Sequence, residues 1–174
     1  NTFFEIKEQT SEETTIYFNL KDYKIEEQEL GSVISIPGSG TRSLIGEPLL
    51  PSVSSFIYLD KHTSYDIDYN IISKKEIIDI DIMPFQTFGD TQVDFQKNEL
   101  IYSSNNSYPE KNLYVSDRNA MRGNEFISLE VVPFIYSASE KKITVIEEIE
   151  IVIKNAGKIT QPISKDFPKS KVFE

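Results

Sequence analysis

Apolar and polar residues alternate along much of this chain with the period of a β-strand. From Tyr65 to Ile71 every second residue is apolar and the residues between are Asp or Asn, and Ile78 to Ile82 repeats the pattern with aspartates. Each of these two segments therefore predicts a strand with one apolar and one solvated face, as in an antiparallel sheet that covers a core on one side. No segment shows the 3.6-residue period of an amphipathic helix.

Several other segments are rich in β-branched and aromatic residues and predict further strands. These run from Thr14 to Leu20, Leu30 to Ile36, Val53 to Leu59, Asn98 to Tyr102, Phe126 to Tyr136 and Lys142 to Ile153. The last two are joined by a short segment that includes Ser137 to Glu140, and its length and composition indicate a hairpin. Because turns recur every 8–12 residues, the fold class we predict is all-β, an antiparallel β-sandwich with little or no helix.

The chain length of 174 residues fits one domain. Apolar residues make up 39% of the sequence, which is enough for a substantial core. After Lys154 the sequence becomes polar and contains Gly157, Pro162 and Pro168. We therefore expect a single β-sandwich over residues 1–160, followed by a tail or linker over residues 161–174.

Charge and hydropathy narrow the range of partners. The formal net charge of −10 disfavours a phosphate backbone and an anionic membrane surface, so no nucleic acid is expected as a partner. No run approaches the roughly 20 apolar residues of a membrane span, so no membrane insertion is expected either. The chain begins on a polar segment without a signal peptide, which we interpret as a processed or trimmed start.

The sequence lacks the residues that most catalytic and metal sites require. It has no Cys, which excludes disulfides, a thiolate nucleophile and a cysteine-rich zinc site. Its single histidine, His62, stands in a turn context, where solvation is the favoured interpretation. Asp79 and Asp81 share a face at strand spacing, but no segment has the D-x-D-x-D-G spacing of a calcium loop, so a solvated face is favoured there too. We expect no catalytic residues, no metal and no cofactor.

The Arg122-Gly123 pair precedes a long predicted strand. We interpret it as a structural pin, in which Gly permits a backbone bend and Arg donates hydrogen bonds to carbonyls or a carboxylate. From the residues alone, two classes of function remain open. One is a binding or inhibitory module, and the other is a structural segment of a larger secreted protein.

A set of short motifs resembles, in order, the prodomains of gingipain-type cysteine peptidases. The motifs are Gly46-Glu47-Pro48-Leu49-Leu50-Pro51, Ile82-Met83-Pro84, Tyr108-Pro109, Met121-Arg122-Gly123, Val131-Val132-Pro133-Phe134-Ile135-Tyr136 and the closing strand to Ile153. They span residues 46–153, about three-fifths of the chain. The resemblance implies structural roles for Gly46, Pro48, Pro51, Arg122, Gly123, Pro133 and Tyr136.

The resemblance also implies a function. In that family the β-sandwich prodomain precedes a caspase-like cysteine peptidase domain, keeps it latent during export, assists its folding and is later cut away. The implied partner is the cognate peptidase catalytic domain of the same polypeptide. The implied route is the type IX secretion of Bacteroidota, through the periplasm to the cell surface. The alternative is a non-inhibitory structural or adhesive N-terminal domain of a cell-surface protein or of an inactive peptidase homologue.

The family places its inhibitory contact in the loop after the I-x-P step. Here that candidate inhibitory loop comprises Phe88, Gly89, Asp90, Thr91, Gln92, Val93 and Asp94. In arginine-specific gingipain prodomains an Arg of this loop enters the specificity pocket, and the ungapped count puts that position on Thr91. Because neither Thr91 nor its neighbours are basic, the arginine-mimicking contact does not carry over, and Lys97 is the nearest basic residue.

Overall fold

The structure is a computed structural model that describes residues 3–60, 63–87 and 94–158. Over these residues the chain forms twelve strands and one helical turn. The strands are β1 (Phe4–Gln9), β2 (Glu13–Asn19), β3 (Lys24–Gln28), β4 (Gly31–Ser35), β5 (Gly40–Thr41), β6 (Pro51–Leu59), β7 (Thr63–Ile78), β8 (Leu113–Val115), β9 (Asn119–Met121), β10 (Asn124–Val131), β11 (Phe134–Ser137) and β12 (Lys142–Lys158), and the helix is α1 (Glu99–Tyr102). The all-β prediction is confirmed.

The strands form two main antiparallel sheets and a separate hairpin. In sheet I the long strand β12 is central: β2 and β11 pair with one of its edges, β7 pairs with the other, and β1 extends the sheet beyond β2. In sheet II the order is β5-β6-β10-β8, and β9 also pairs with β10. The hairpin of β3 and β4 is the third unit. This arrangement is that of an antiparallel β-sandwich.

Alternation along the strands produces the core between the sheets. In β12 the buried side chains include Ile149, Ile151 and Ile153, while the residues between them remain partly exposed. In β10 the buried side chains are Ile127, Leu129 and Val131. All of them belong to one continuous apolar cluster. The period of two thus directs one face of each sheet inward, which is the main stabilising contribution to the fold.

Of the two strands predicted from alternation, one is longer than predicted and the other is absent. Strand β7 runs from Thr63 to Ile78 and pairs with β12 along almost its whole length. The strand predicted from Ile78 to Ile82 is wrong, because the backbone turns at Asp79, whose φ is +59°. Ile80 and Ile82 are nevertheless buried, and they belong to the segment from Asp79 to Pro84, which we call the strip. A segment with one buried face produces the same alternation whether or not it joins a ladder.

The strand predicted from Phe126 to Tyr136 is divided between the two sheets. Strand β10 belongs to sheet II and β11 to sheet I, so the chain changes sheets at Val132-Pro133. Pro133 has no N–H to donate to a ladder, and the Val132 N–H donates instead to the carbonyl of Asn112 at 2.8 Å. The hairpin between β11 and β12 is confirmed, and β12 extends to Lys158, beyond the predicted end at Ile153.

The strand predicted from Asn98 to Tyr102 is also wrong. The segment forms the single helical turn α1, because the Asn98 side chain caps it by accepting a hydrogen bond from the Leu100 N–H at 3.2 Å. The turn places the Tyr102 hydroxyl 2.8 Å from the carbonyl of Ile82. Through this contact α1 is fixed against the strip that follows β7.

The two ends of the sandwich carry different features. At one end Lys142 lies opposite Ile78, and the strip from Asp79 to Pro84, α1 and the segment around Gly46 gather there. At the other end Lys158 lies opposite Thr63. The sites discussed below are at the first end, which we call the loop end.

Candidate functional site

The described residues on either side of the candidate inhibitory loop lie at the loop end of the sandwich. Residues 88–93 lie outside the described residues, as does His62, whereas Asp94 is described and exposed. The structure therefore shows the root of the loop. We define this root as residues 85–87 on the entering side and 94–98 on the leaving side.

A glutamine side chain closes the root. The amide nitrogen Nε2 of Gln86 donates to the carbonyl of Gln96 at 2.7 Å, and the Gln96 N–H donates to Oε1 of Gln86 at 3.0 Å. The same Nε2 lies 3.2 Å from the carbonyl of Pro84. The side chain thus replaces the pair of backbone bonds that would join two antiparallel strands.

Gly46 bridges both sides of the root through its backbone. Its N–H donates to the carbonyl of Phe85 at 2.8 Å, and its carbonyl accepts from the Asn98 N–H at 2.8 Å. Its φ is +85°, and a Cβ at this position would lie 3.2 Å from the nitrogen of Asn98. The first residue of the G-x-P-x-L-P motif is therefore glycine for two reasons, a left-handed backbone and a close approach to the root.

The next residues of the motif attach this bridge to the body of the sandwich. Oε2 of Glu47 accepts from the Leu44 N–H at 2.9 Å and from the Tyr108 hydroxyl at 2.8 Å. Pro48 pairs with Pro84 in an isolated antiparallel bridge, and Pro51 is buried at the start of β6. Residues far apart in the sequence therefore support the root of the candidate loop together.

A cluster of three tyrosines, of which Tyr136 is buried and Tyr102 and Tyr108 are partly buried, lies next to the root. The rings of Tyr102 and Tyr136 meet edge to face, with centroids 5.9 Å apart. Tyr136 pairs with Tyr108 through the backbone and donates its hydroxyl to Asp81 Oδ1 at 2.8 Å. Burial raises the pKa of all three phenols well above the usual range, so they remain neutral hydrogen-bond donors.

Asp81 is the charged member of this cluster. Desolvation acts to raise the pKa of its carboxyl group, but the hydrogen bond from Tyr136 and the ammonium group of Lys141, 3.1 Å away, outweigh it, so the pKa is lowered. A carboxylate with a depressed folded-state pKa stabilises the protein above its unfolded pKa, and this contribution is lost as the pH falls through the folded value.

We expect Asp81→Asn to lower the free energy of unfolding at pH 7 by less than about 1 kcal/mol, because the group is half exposed and its interactions are screened. The difference from the wild type should shrink as the pH falls below about 4, the unfolded-state pKa of an aspartate, and then through the lower folded-state pKa of Asp81. Urea midpoints at pH 7 and pH 3 measure this difference in stability. Lys141→Met is the matched variant, because it removes the other member of the ion pair. An equal difference at both pH values would contradict the assignment.

The Arg122-Gly123 pair lies at the opposite end, in the turn between β9 and β10. Both residues have positive φ, +52° and +81°, so the predicted backbone bend is present. The predicted hydrogen bonds of Arg122 are absent among the described residues, where its side chain is exposed. The pinning role belongs to Arg118, whose guanidinium contacts the Glu125 carboxylate and the Thr63 carbonyl.

Pro133 is the last of the residues for which the resemblance predicts a structural role. Pro133 is buried where the chain changes sheets, and its carbonyl accepts from the Ile146 N–H at 2.8 Å. Within the described ranges, no three His, Cys, Asp or Glu side chains converge in a way that would hold a metal ion. No helix in that part of the chain is long and apolar enough to cross a membrane.

The sequence did not predict the contact between Gln86 and Gln96 that closes the root. Gln86 and Gln96 are polar residues on either side of an irregular segment, and no motif distinguishes them from other surface glutamines. The sequence shows only that the two glutamines are ten positions apart. The contact of Gly46 with Asn98 was equally hidden, since 52 positions of sequence separate them.

Comparison with known proteins identifies one matching family and two similar solved structures. Residues 7–167 match the family model Propeptide_C25. The structure is similar to the complex of Porphyromonas gingivalis RgpB pro- and mature domains, with a TM-score of 0.78 and 17% identity over 96% of this chain and 92% of that chain. It is also similar to a structure that describes the zymogenic latency of gingipain K from Porphyromonas gingivalis, with a TM-score of 0.75 and 18% identity over 88% of this chain and 92% of that one. Curated proteins give no significant sequence match.

The fold and the family match together define a non-catalytic propeptide domain of the gingipain type. The chain belongs to the Propeptide_C25 family. The resemblance deduced from the ordered motifs is thereby confirmed, and it extends beyond residues 46–153 to the N-terminal strands.

Proposed function

We propose that this chain keeps the cysteine peptidase domain of its own polypeptide latent by docking on it, and that it assists the folding of that domain. The observation that carries the proposal is the family match over residues 7–167. The similar RgpB structure holds a prodomain together with its mature domain, and the gingipain K structure concerns zymogenic latency. These relatives support the same relation of prodomain to peptidase here.

The contact we propose is the candidate loop, residues Phe88 to Asp94. Support comes from its root, which Gln86 and Gly46 hold with four hydrogen bonds between 2.7 and 3.0 Å. A loop with a fixed root loses less conformational entropy on docking, and this favours affinity. With Thr91 at the position of the familiar arginine, the loop would present a small polar side chain rather than a basic one.

We further propose the setting of this domain. It would comprise residues 1–160, with residues 161–174 as the linker to the peptidase domain. Export would follow the type IX route of Bacteroidota through the periplasm to the cell surface. The source of both similar structures, Porphyromonas gingivalis, supports this route.

The test is inhibition of the cognate mature peptidase by the purified chain. We expect slower substrate hydrolysis and a one-to-one complex on gel filtration at micromolar concentration. Absence of both would refute the proposal. A complex that forms without inhibition would favour the alternative, a structural N-terminal domain.

The role of the loop is tested by exchanging residues 88–94 for an equal length of Gly and Ser. Because a few central residues carry most of the binding energy of an interface, we expect the inhibition constant to rise at least about 30-fold, equivalent to about 2 kcal/mol. Unchanged thermal unfolding would show that the fold is intact. Undiminished inhibition by this variant would exclude the loop as the inhibitory contact.

A further inference from the structure

A cleft of about 800 Å³ lies beside the root of the candidate loop. Its walls are the β3–β4 hairpin, the strip that follows β7, and the leaving side of the root. Three large apolar side chains line it although they are exposed: Leu30 at 55%, Ile78 at 68% and Phe95 at 49%. Single exposed apolar residues are ordinary on a protein surface, but their gathering in one concave site is typical of a binding surface.

Backbone hydrogen bonds hold two walls of the cleft together. The Ser32 N–H donates to the carbonyl of Asp81 at 2.6 Å, and the Met83 N–H donates to the carbonyl of Ser32 at 3.0 Å, so the hairpin is held against the strip. Gly31, with φ at +127°, permits this approach, because a Cβ there would lie 2.9 Å from the nitrogen of Met83. The walls are therefore positioned before any partner arrives, which limits the entropy lost on binding.

The charges around the cleft differ between its walls. On the hairpin side, Glu27 and Glu29 have no ion-pair partner among the described residues. On the other side Lys141 pairs with Asp81 at 3.1 Å, while Lys97 lies 4.5 Å from the centroid of the neutral Tyr102 ring and keeps its charge. Because Asp79 also lines the cleft, four carboxylates there outnumber the two ammonium groups, and the negative excess complements a basic partner surface.

We propose that this cleft is a second docking site for the peptidase domain, and that it takes an apolar segment of that domain flanked by Lys or Arg. The inference rests on the proposed function and adds a second contact to it. Phe95, on the wall of the cleft, directly follows Asp94, the last residue of the candidate loop. A domain that contacts the loop root therefore lies within reach of the cleft, and the two sites form one continuous interface.

The experiment measures the affinity of the 174-residue chain for its cognate mature peptidase, with the catalytic cysteine of the peptidase alkylated. We expect Leu30→Ser and Ile78→Ser each to raise the Kd at least tenfold while thermal unfolding stays unchanged. The matched control is Leu100→Ser, because Leu100 is 84% exposed on α1 and does not line the cleft. We expect the control to remain within twofold of the wild type.

The charge of the hairpin rim is tested separately. Glu29→Lys should slow association and flatten its dependence on salt concentration, because it reverses one of the unpaired charges. If the wild type binds and inhibits while Leu30→Ser and Ile78→Ser bind equally well, the cleft is not a contact, and the proposed function stands without it. If the wild type itself does not bind, both proposals fail.

Discussion

Phe134→Ala is expected to lower the free energy of unfolding by about 3–5 kcal/mol, because a large buried side chain is removed and leaves a cavity. Phe134 is completely buried at the start of β11, opposite Val145, and its ring meets Tyr23 edge to face at 5.4 Å. It fills the space where the chain crosses from sheet II to sheet I. A domain of this kind has a total stability of about 5–15 kcal/mol, so this loss would remove a large part of it.

Urea unfolding followed by far-ultraviolet circular dichroism measures this effect, with Phe56→Ala as the matched control. The same atoms are removed at Phe56, but this ring lies on the outer face of sheet II and is 66% exposed. Its edge-to-face contact with Phe126 accounts for a loss of about 1 kcal/mol. Equal losses in the two variants would contradict the assignment of the core.

Strands with one buried face could be predicted well, because burial on one side imposes a period of two on the sequence. Strand β2 begins one residue before its predicted start at Thr14 and ends one residue before its predicted end at Leu20, and β6 was predicted with the correct end at Leu59. The same rule was misleading at Ile80 and Ile82, which are buried in a strip outside the ladders. Alternation reports burial, whereas strand pairing also depends on neighbours far away in the sequence.

Strands whose side chains stay mostly in water gave no such signal. Strands β1 and β3 are largely exposed, and β9 is exposed throughout. Their exposed sequences satisfy a backbone ladder equally well, because pairing needs only N–H and C=O groups. These strands can be assigned only from the structure, in which they pair with β2, β4 and β10.

The candidate site was predictable in part. The resemblance located the loop and the Gly46 motif separately, since each has a recognisable sequence. That the motif supports the root of the loop follows only from the three-dimensional structure, in which Gly46 contacts both Phe85 and Asn98. The cleft was not predictable, because Leu30, Ile78 and Phe95 come from three separate segments.

Gly46→Ala is expected to weaken inhibition of the peptidase at least tenfold, equivalent to about 1.4 kcal/mol of binding free energy, while the sandwich remains folded. The left-handed backbone alone makes alanine unfavourable by roughly 1–2 kcal/mol. In addition, the new Cβ would lie 3.2 Å from the Asn98 nitrogen and 3.4 Å from the Lys97 carbonyl carbon. Because these are backbone atoms of the root, the root must shift and carry the candidate loop with it.

Two other glycines separate the causes of this effect. Gly38 also has a positive φ, +78°, but a Cβ there would meet no described residue within 4 Å, so Gly38→Ala isolates the backbone strain. At Gly40, where no positive φ is required, a Cβ would lie 3.9 Å from Ser52 Oγ, an ordinary van der Waals distance, so Gly40→Ala is the unstrained control. We expect Gly38→Ala to lower the urea midpoint without changing the inhibition constant, and Gly40→Ala to change neither. If Gly38→Ala weakened inhibition as much as Gly46→Ala does, general destabilisation rather than displacement of the root would be the cause, and the supporting role of Gly46 would be refuted.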